Sequence, residues 1–292
     1  MFTADLLLNA IVAGLLLGGF YAAVALGLAI IFGQLDIVNI AHPAFVIAGA
    51  YIVYAFNIEY GLDPVLLGLL AAPVFFVAGV LMYRIYYAAF ERTGQEALRG
   101  LAFFFGVMFI IEVALIMRYG VDYRLVNAPY IGDNIDLGFI GLPLRLVIPF
   151  VVSIAMFAAV ALFLSKTFIG RAILAVSQDR LALQLMGANP VRVKQIAFGL
   201  GMATAAIAGA LLIIIQPVEP ATGRLFIGRV FAIVVLGGMG SINGTLIAAL
   251  LLGVTESFVS TFYGPSWAPA VAFGILLLTL GLRPSGIFGR AQ

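Results

Sequence analysis

The chain has 292 residues, of which 64% are hydrophobic and 10% are charged, and its formal net charge is +2. Soluble domains carry about 25% charged residues, so this composition indicates a protein embedded in a membrane and gives no sign of a nucleic-acid partner. The sequence has no cysteine and one histidine, His42, which excludes disulfides, thiolate catalysis and multi-histidine metal sites.

Apolar stretches of spanning length follow one another along the chain. A membrane-crossing helix needs about 20 mostly apolar residues. Seven stretches satisfy this: residues 6–32, 65–83, 101–117, 144–164, 190–215, 245–262 and 267–282. Two further apolar runs, 43–56 and 226–236, are shorter and adjoin polar or glycine-rich segments, as broken helices that line a cavity do. We therefore predict one all-α domain, 1–292, a polytopic bundle of eight or nine membrane segments with two short or broken helices.

The basic residues fall unevenly among the loops. Alternate loops hold ten Lys and Arg residues in one set and five in the other. The smaller set consists of Arg118, Arg124, Arg145, Arg224 and Arg229. Because cytoplasmic loops carry the excess of positive charge, nine crossings place the N-terminus outside and the C-terminus in the cytoplasm. A short segment that does not cross would require this orientation to be revised.

A polar segment, residues 33–43, separates the first two apolar runs. Asp36, Asn39 and His42 are spaced three apart and share one face if the segment is helical, and Pro43 suits the first turn of the next helix. One interpretation is an ordinary loop with a helix cap. The other is an unwound segment that lines a conduit, with Asn39 and His42 facing a polar solute.

The loop 165–194 contains a short helix with clear boundaries. Asp179 is a suitable N-cap, Gly187 suits a left-handed C-terminus, and Asn189 with Pro190 begins the next membrane helix. Two turns of helix are marginal alone, so this helix must dock on something. From the residues alone, docking on its own domain or the headgroups and docking on a cytoplasmic partner are equally compatible.

Glycines interrupt the apolar pattern again at residues 234–246. Gly237, Gly238 and Gly240 make a continuous helix costly, and Asn243 follows them. This segment is either a tight helix–helix turn or a second broken element at the pathway.

Two carboxylates, Glu112 and Glu256, lie within apolar runs. A lipid-facing charge at the bilayer centre costs roughly 2.5–3.5 kcal/mol, so both side chains are expected to point inward. We interpret Glu112 as structural and Glu256 as a pathway residue.

Catalytic motifs are absent from the sequence. Neither lysine belongs to a phosphate-binding loop, and no nucleophile elbow occurs. We therefore predict a non-enzymatic protein with no cofactor or metal of its own.

Three stretches of the sequence resemble a known family: GGFYAAVALGLAIIFGQLDIVNIAHPAFVIAGAY, GRAILAVSQDRLALQLMGANPVRVKQIAF and VVLGGMGSINGTLIAALLLGVTES. They resemble, in the same order, the permeases of bacterial ABC importers for branched-chain amino acids, and the ending RPSGIFGR also fits. Where the family usually has His-Gly and an acidic residue, this chain has His42, Pro43 and Ala44, which leaves the solute open among branched-chain amino acids, urea, short amides and aromatic acids.

The resemblance implies an inner-membrane subunit with several partners: cytoplasmic ATP-binding subunits, a second permease that is homologous or identical, and a periplasmic solute-binding protein. It implies that the loop helix is the coupling helix on which the ATPase acts, formed by Arg171, Asp179, Arg180, Ala182 and Gly187. The pathway residues expected are Asn39, His42, Gly237, Gly238, Gly240, Asn243 and Glu256. The competing hypothesis is an autonomous, ion-coupled secondary transporter.

Overall fold

The computed structural model describes residues 4–94, 96–136, 138, 141–283 and 285–289. Their α-helices are α1 (Ala4–Leu35), α2 (His42–Tyr60), α3 (Pro64–Ala89), α4 (Glu96–Tyr119), α5 (Leu144–Lys166), α6 (Phe168–Val176), α7 (Arg180–Leu185), α8 (Pro190–Ile215), α9 (Thr222–Gly237), α10 (Ile242–Tyr263) and α11 (Ala268–Leu282). Arg290 and the side chain of Arg180, both counted among the basic residues, lie outside the described part of the chain.

In this described part, eight helices are long and apolar enough to cross a membrane. The all-α prediction is confirmed, and the eight include α2, which has 19 residues where the sequence suggested a short segment. The segment predicted as 226–236 lies in α9, which has 16 residues and is not one of the eight. The protein is thus a multi-pass membrane protein in which α9 is the shortened element.

Helices α1 and α8 form the centre of the bundle, and small residues let their neighbours approach. A Cβ atom on Gly14 of α1 would lie 2.6 Å from the Cα of Val254 in α10, and one on Gly209 of α8 would lie 2.2 Å from the carbonyl oxygen of Val46 in α2. Such contacts between backbones drive helix association in lipid, where hydrophobic burial contributes little. Large apolar side chains on the outer helices stay exposed, as lipid-facing residues do.

The connection between α4 and α5 contains a small hairpin that the sequence did not suggest. Strands β1 (Asn134–Asp136) and β2 (Gly141–Pro143) pair antiparallel. Nearby, the hydroxyl of Tyr130 donates to the Asp63 carboxylate over 2.8 Å. Burial raises the pKa of this tyrosine, and the bond to Asp63 acts in the same direction. The hairpin is too short to change the fold class, since it covers six residues.

Candidate translocation pathway and coupling surface

The segment between α1 and α2 turns back into the bundle. Helix α1 continues to Leu35, and Asp36 adopts a left-handed conformation (φ 58°) that reverses the chain. The Nε2 atom of His42 then lies 3.1 Å from the carbonyl oxygen of Val24, a residue about 16 Å before Leu35 along the helix axis. Helix α2 therefore begins inside the bundle, and residues 36–41 are an unwound segment beside α1 rather than an ordinary surface loop.

Buried polar atoms in this segment lack partners. Asn39 and His42 are fully buried. The Nδ2 atom of Asn39 lies 3.9 Å from the sulfur of Met202, while the Asn39 Oδ1 and the His42 Nδ1 have no hydrogen-bond partner among the described residues. Buried polar groups are normally paired, so these two atoms are exceptions within the bundle.

Helix α9 also begins within the bundle, next to the start of α2. A Cβ atom on Gly223 would lie 3.3 Å from the Pro43 carbonyl oxygen and 3.4 Å from the Ala44 nitrogen. The assignment of Arg224 and Arg229 to an external loop was therefore wrong, because both residues lie in α9. The prediction failed because two arginines close together are typical of a loop. Their carboxylate partners lie on helices that are distant in the sequence.

Both intramembrane carboxylates point inward and are paired with these arginines. Glu112 of α4 accepts from the Nε and Nη2 atoms of Arg224 at 2.8 and 2.6 Å. Glu256 of α10 accepts from the Nε atom of Arg229 at 2.9 Å and from the hydroxyl of Tyr21 in α1. Two ion pairs thus join α9 to α4 and to α10, and the predicted inward orientation of Glu112 and Glu256 is confirmed.

The glycine-rich segment forms a tight turn. Helix α9 ends at Gly237 and α10 begins at Ile242, so four residues connect them. Gly238 and Gly240 have φ values of 91° and 84°, which side chains rarely tolerate. Asn243 is exposed in the first turn of α10. The segment is therefore a tight helix–helix turn that interrupts the two helices, and whether it lines the pathway stays a prediction.

The two interrupted segments meet at one end of the bundle. The Nε2 atom of Gln34 donates to the Gly240 carbonyl oxygen over 2.8 Å, and its Oε1 accepts from the hydroxyl of Ser177 at 3.3 Å. Gln34 thus joins the end of α1, the α9–α10 turn and the α6–α7 connection. A cavity of about 700 Å³ adjoins this junction, and its wall includes Asp36, Gln178, Lys194, Ser241 and Phe288.

The predicted loop helix is present as α7, with the predicted boundaries. The Asp179 carboxylate accepts from the backbone nitrogens of Leu181 and Ala182 at 2.8 and 2.9 Å, and Gly187 is left-handed with φ 81°. The loop also contains a second helix, α6, on which Arg171 is exposed. Boundary signals are local, which explains why the sequence located α7 correctly.

Apolar side chains of α7 extend away from the bundle. Leu181, Leu185 and Met186 are 65%, 81% and 77% exposed, whereas Leu183 is buried and anchors the helix. Lys194, expected on the basic surface of this loop, is instead buried and forms an ion pair with Glu91. The exposed face of α7 is therefore more apolar than the charge pattern suggested, and we call Leu181, Leu185 and Met186 the α7 apolar face.

Three residues at these sites were missed by the sequence reasoning: Gln34, Tyr21 and Arg229. Arg229 carries a detectable signal, since an arginine within an apolar run implies a buried partner. For Gln34 and Tyr21 no local pattern exists, because their partners are more than 140 positions away in the chain.

Comparison with known proteins reveals a consistent set of relatives. The sequence model of the family described as "Branched-chain amino acid transport system / permease component" matches residues 10–280. The high-affinity branched-chain amino acid transport system permease protein BraD of Pseudomonas aeruginosa is 30% identical over 98% of this chain and 96% of the relative. LivH of Escherichia coli is 26% identical over 96% of this chain and 94% of its own length, and a probable LivH of Methanocaldococcus jannaschii is 26% identical over 91% and 87%. No solved structure matches the chain.

Proposed function

The chain belongs to the family of permease components of branched-chain amino acid transport systems, and on that premise we propose that it is the membrane subunit of an ATP-driven importer. The proposed solutes are branched-chain amino acids or a related small amino acid or amide. One observation carries the ATP-driven part of this proposal: the two-turn helix α7 presents three exposed apolar side chains away from its own domain. Apolar anchors of this kind fill pockets on a protein partner.

We propose that the motor is supplied by separate cytoplasmic ATP-binding subunits, since the sequence contains no phosphate-binding loop. The other proposed partners are a second permease and a periplasmic binding protein that delivers the solute. In this assembly the chain contributes one permease domain and binds no cofactor.

A route for the motion leads from α7 into the bundle. Ser177 precedes the Asp179 cap of α7 by two residues, and its hydroxyl contacts Gln34, which in turn holds the Gly240 carbonyl. A displacement of α7 by the ATPase would pull on the α9–α10 turn and on the end of α1. A contiguous set of contacts of this kind can carry coupling between the site of force and the pathway.

The proposed pathway follows the interrupted helices. Asn39 and His42 supply unpaired polar atoms inside the bundle, and Glu256 supplies a carboxylate. Gly237, Gly238 and Gly240 form the turn at the end that carries α7, and Asn243 stands at its rim. Asn39 and His42 become accessible to solute when the segment 36–41 moves.

The proposed orientation places α7 in the cytoplasm of the bacterial inner membrane and the N-terminus outside. Support comes from the tail, because the backbone nitrogen of Ile287 donates to the carbonyl oxygen of Leu236 over 2.8 Å, at the end that carries α7. The end of α1 lies at this same end of the bundle, so the beginning of α1 lies at the opposite end, which supports an N-terminus outside if α9 also crosses.

Proteoliposomes that contain the chain with its co-purifying subunits test this function. Radiolabelled leucine delivered with the binding protein is expected to accumulate when ATP is present on the side of α7 and not with a non-hydrolysable analogue. Isoleucine and valine are expected to compete with leucine. Accumulation that is independent of ATP hydrolysis would contradict the proposal.

A further inference from the structure

A second cavity, of about 350 Å³, lies far from α7, where α1, α5 and α10 meet the beginning of α11. Two residues of its wall are exposed, Thr261 in the last turn of α10 and Pro265 in the α10–α11 connection. Its wall is formed by Ala13, Leu17, Tyr21, Leu146, Arg229, Glu256, Ser257, Ser260, Thr261, Pro265 and Ala268. The cavity thus combines an apolar lining with one ion pair, the composition typical of small-molecule sites.

The ion pair has capacity for further bonds. Arg229 uses its Nε atom for Glu256 and its Nη1 atom for the carbonyl oxygen of Leu225 at 3.5 Å, while no described residue accepts from its Nη2 atom. Glu256 accepts one bond on each oxygen, whereas a carboxylate accommodates about four. Both charged groups line the cavity, so a ligand inside it meets a cation and an anion side by side.

The charge balance of the cavity selects the class of ligand. An anion would compete with Glu256 for Arg229, and a cation would compete with Arg229 for Glu256. Either ligand would leave one buried charge unpaired, which costs binding free energy. A dipolar ligand with both charges on neighbouring atoms satisfies both groups at once. The apolar wall, which includes Ala13, Leu17 and Leu146, favours a ligand whose remaining atoms are hydrocarbon.

We infer that this cavity is a binding site for a zwitterionic α-amino acid with an apolar side chain. Its carboxylate binds Arg229, its ammonium binds Glu256, and its side chain lies against Ala13, Leu17 and Leu146. The Tyr21 hydroxyl holds Glu256 in place during the exchange of partners. This inference rests on the proposed function, and it gives the membrane subunit a solute site of its own in addition to the one on a binding protein.

The chain offers a matched control for this site. Glu112 of α4 and Arg224 of α9 form a second ion pair, with 2.6 Å between Oε1 and Nη2, but neither residue lines the cavity. Substitutions in this second pair remove one carboxylate or one arginine, as the substitutions at Glu256 and Arg229 do, but outside the cavity. They are therefore expected to leave amino acid binding unchanged, whatever they do to stability.

The experiment is equilibrium binding of radiolabelled leucine to the full chain, purified in detergent with its co-purifying subunits and without binding protein. Saturable binding is expected for the unsubstituted chain. Glu256→Gln and Arg229→Gln are each expected to weaken it by at least tenfold, whereas Glu112→Gln and Arg224→Gln are expected to keep it within twofold. Leucinamide and 4-methylpentanoate, which each lack one of the two charges, are expected to compete poorly.

Ala13→Phe provides an independent variant, because it fills the cavity and leaves the ion pair intact. It is expected to abolish leucine binding while the complex still elutes as one symmetric peak. Absence of saturable binding in the unsubstituted complex, retained binding in Ala13→Phe or in both charge variants, or equal competition by the two analogues would overturn the site. If ATP-driven uptake persists, such a result contradicts the site and not the proposed importer function. Absence of that uptake in the unsubstituted complex would overturn the importer function.

Discussion

Replacing Leu185 with glutamate is expected to lower ATP-driven leucine uptake by about tenfold or more, with no loss of folded permease from the membrane. Leu185 is 81% exposed at the end of α7 and makes no contribution to the buried core, so the fold does not depend on it. If the α7 apolar face fills a pocket on the ATPase, a buried carboxylate there has no partner, and the loss of one such anchor costs about 2 kcal/mol or more.

The control for Leu185→Glu is Ser165→Glu, which adds the same charge at an exposed position in the last turn of α5, outside α7. Uptake and co-purification of the ATPase are measured together in both variants. Leucine uptake and ATPase co-purification are both expected to fall in Leu185→Glu and to stay unchanged in Ser165→Glu. Normal co-purification and uptake in Leu185→Glu would show that α7 is not the docking element and lies on the headgroups instead.

Replacing Gly237 with alanine is expected to destabilise the permease severely. The added Cβ atom would lie 2.6 Å from both the carbonyl carbon of Gly244 and the nitrogen of Thr245, so the α9–α10 turn must open. Backbone cannot move aside as a flexible side chain does, and overpacking of this kind costs about 1–3 kcal/mol or more. The expected readout is a lower midpoint for loss of the monodisperse peak when the detergent-solubilised protein is heated.

The same methyl group at Gly274 is the appropriate comparison, because no atom of the described residues lies within 4 Å of the position it would occupy in α11. Alanine has a higher helix propensity than glycine by about 1 kcal/mol, so Gly274→Ala is expected to retain or raise the midpoint. Equal midpoints for the two variants would mean that the glycines of the turn do not serve close backbone approach.

Features set by neighbouring residues were predictable from the sequence. Asp179 and Asn189 cap α7 and α8, and Gly187 is left-handed, since a cap forms between groups two or three residues apart. The seven spanning stretches were predictable for a similar reason, because each contains enough consecutive apolar residues to cross the hydrocarbon core of a bilayer. Several helices extend a few residues beyond the predicted stretches, as α3 does by continuing to Ala89.

Features set by distant contacts were not predictable. The start of α2 beside Val24 depends on a reversal at Asp36 and on a fit against α1 and α8, and hydropathy registers neither. The position of α9 depends on Glu112 and Glu256, which neutralise its arginines from α4 and α10. A count of basic residues therefore assigned Arg224 and Arg229 to a loop. A count of basic residues assigns such arginines to loops because it does not include the carboxylates that neutralise them inside the bundle.

The proposed function depends most on a motor that is a separate polypeptide. The decisive measurement is leucine accumulation in liposomes that contain this chain alone, with an imposed proton or sodium gradient and no nucleotide. We predict no accumulation above the level of protein-free liposomes, and concentrative uptake once the co-purifying subunits, the binding protein and ATP are added. Concentrative uptake by the chain alone would identify an autonomous secondary transporter and contradict the account.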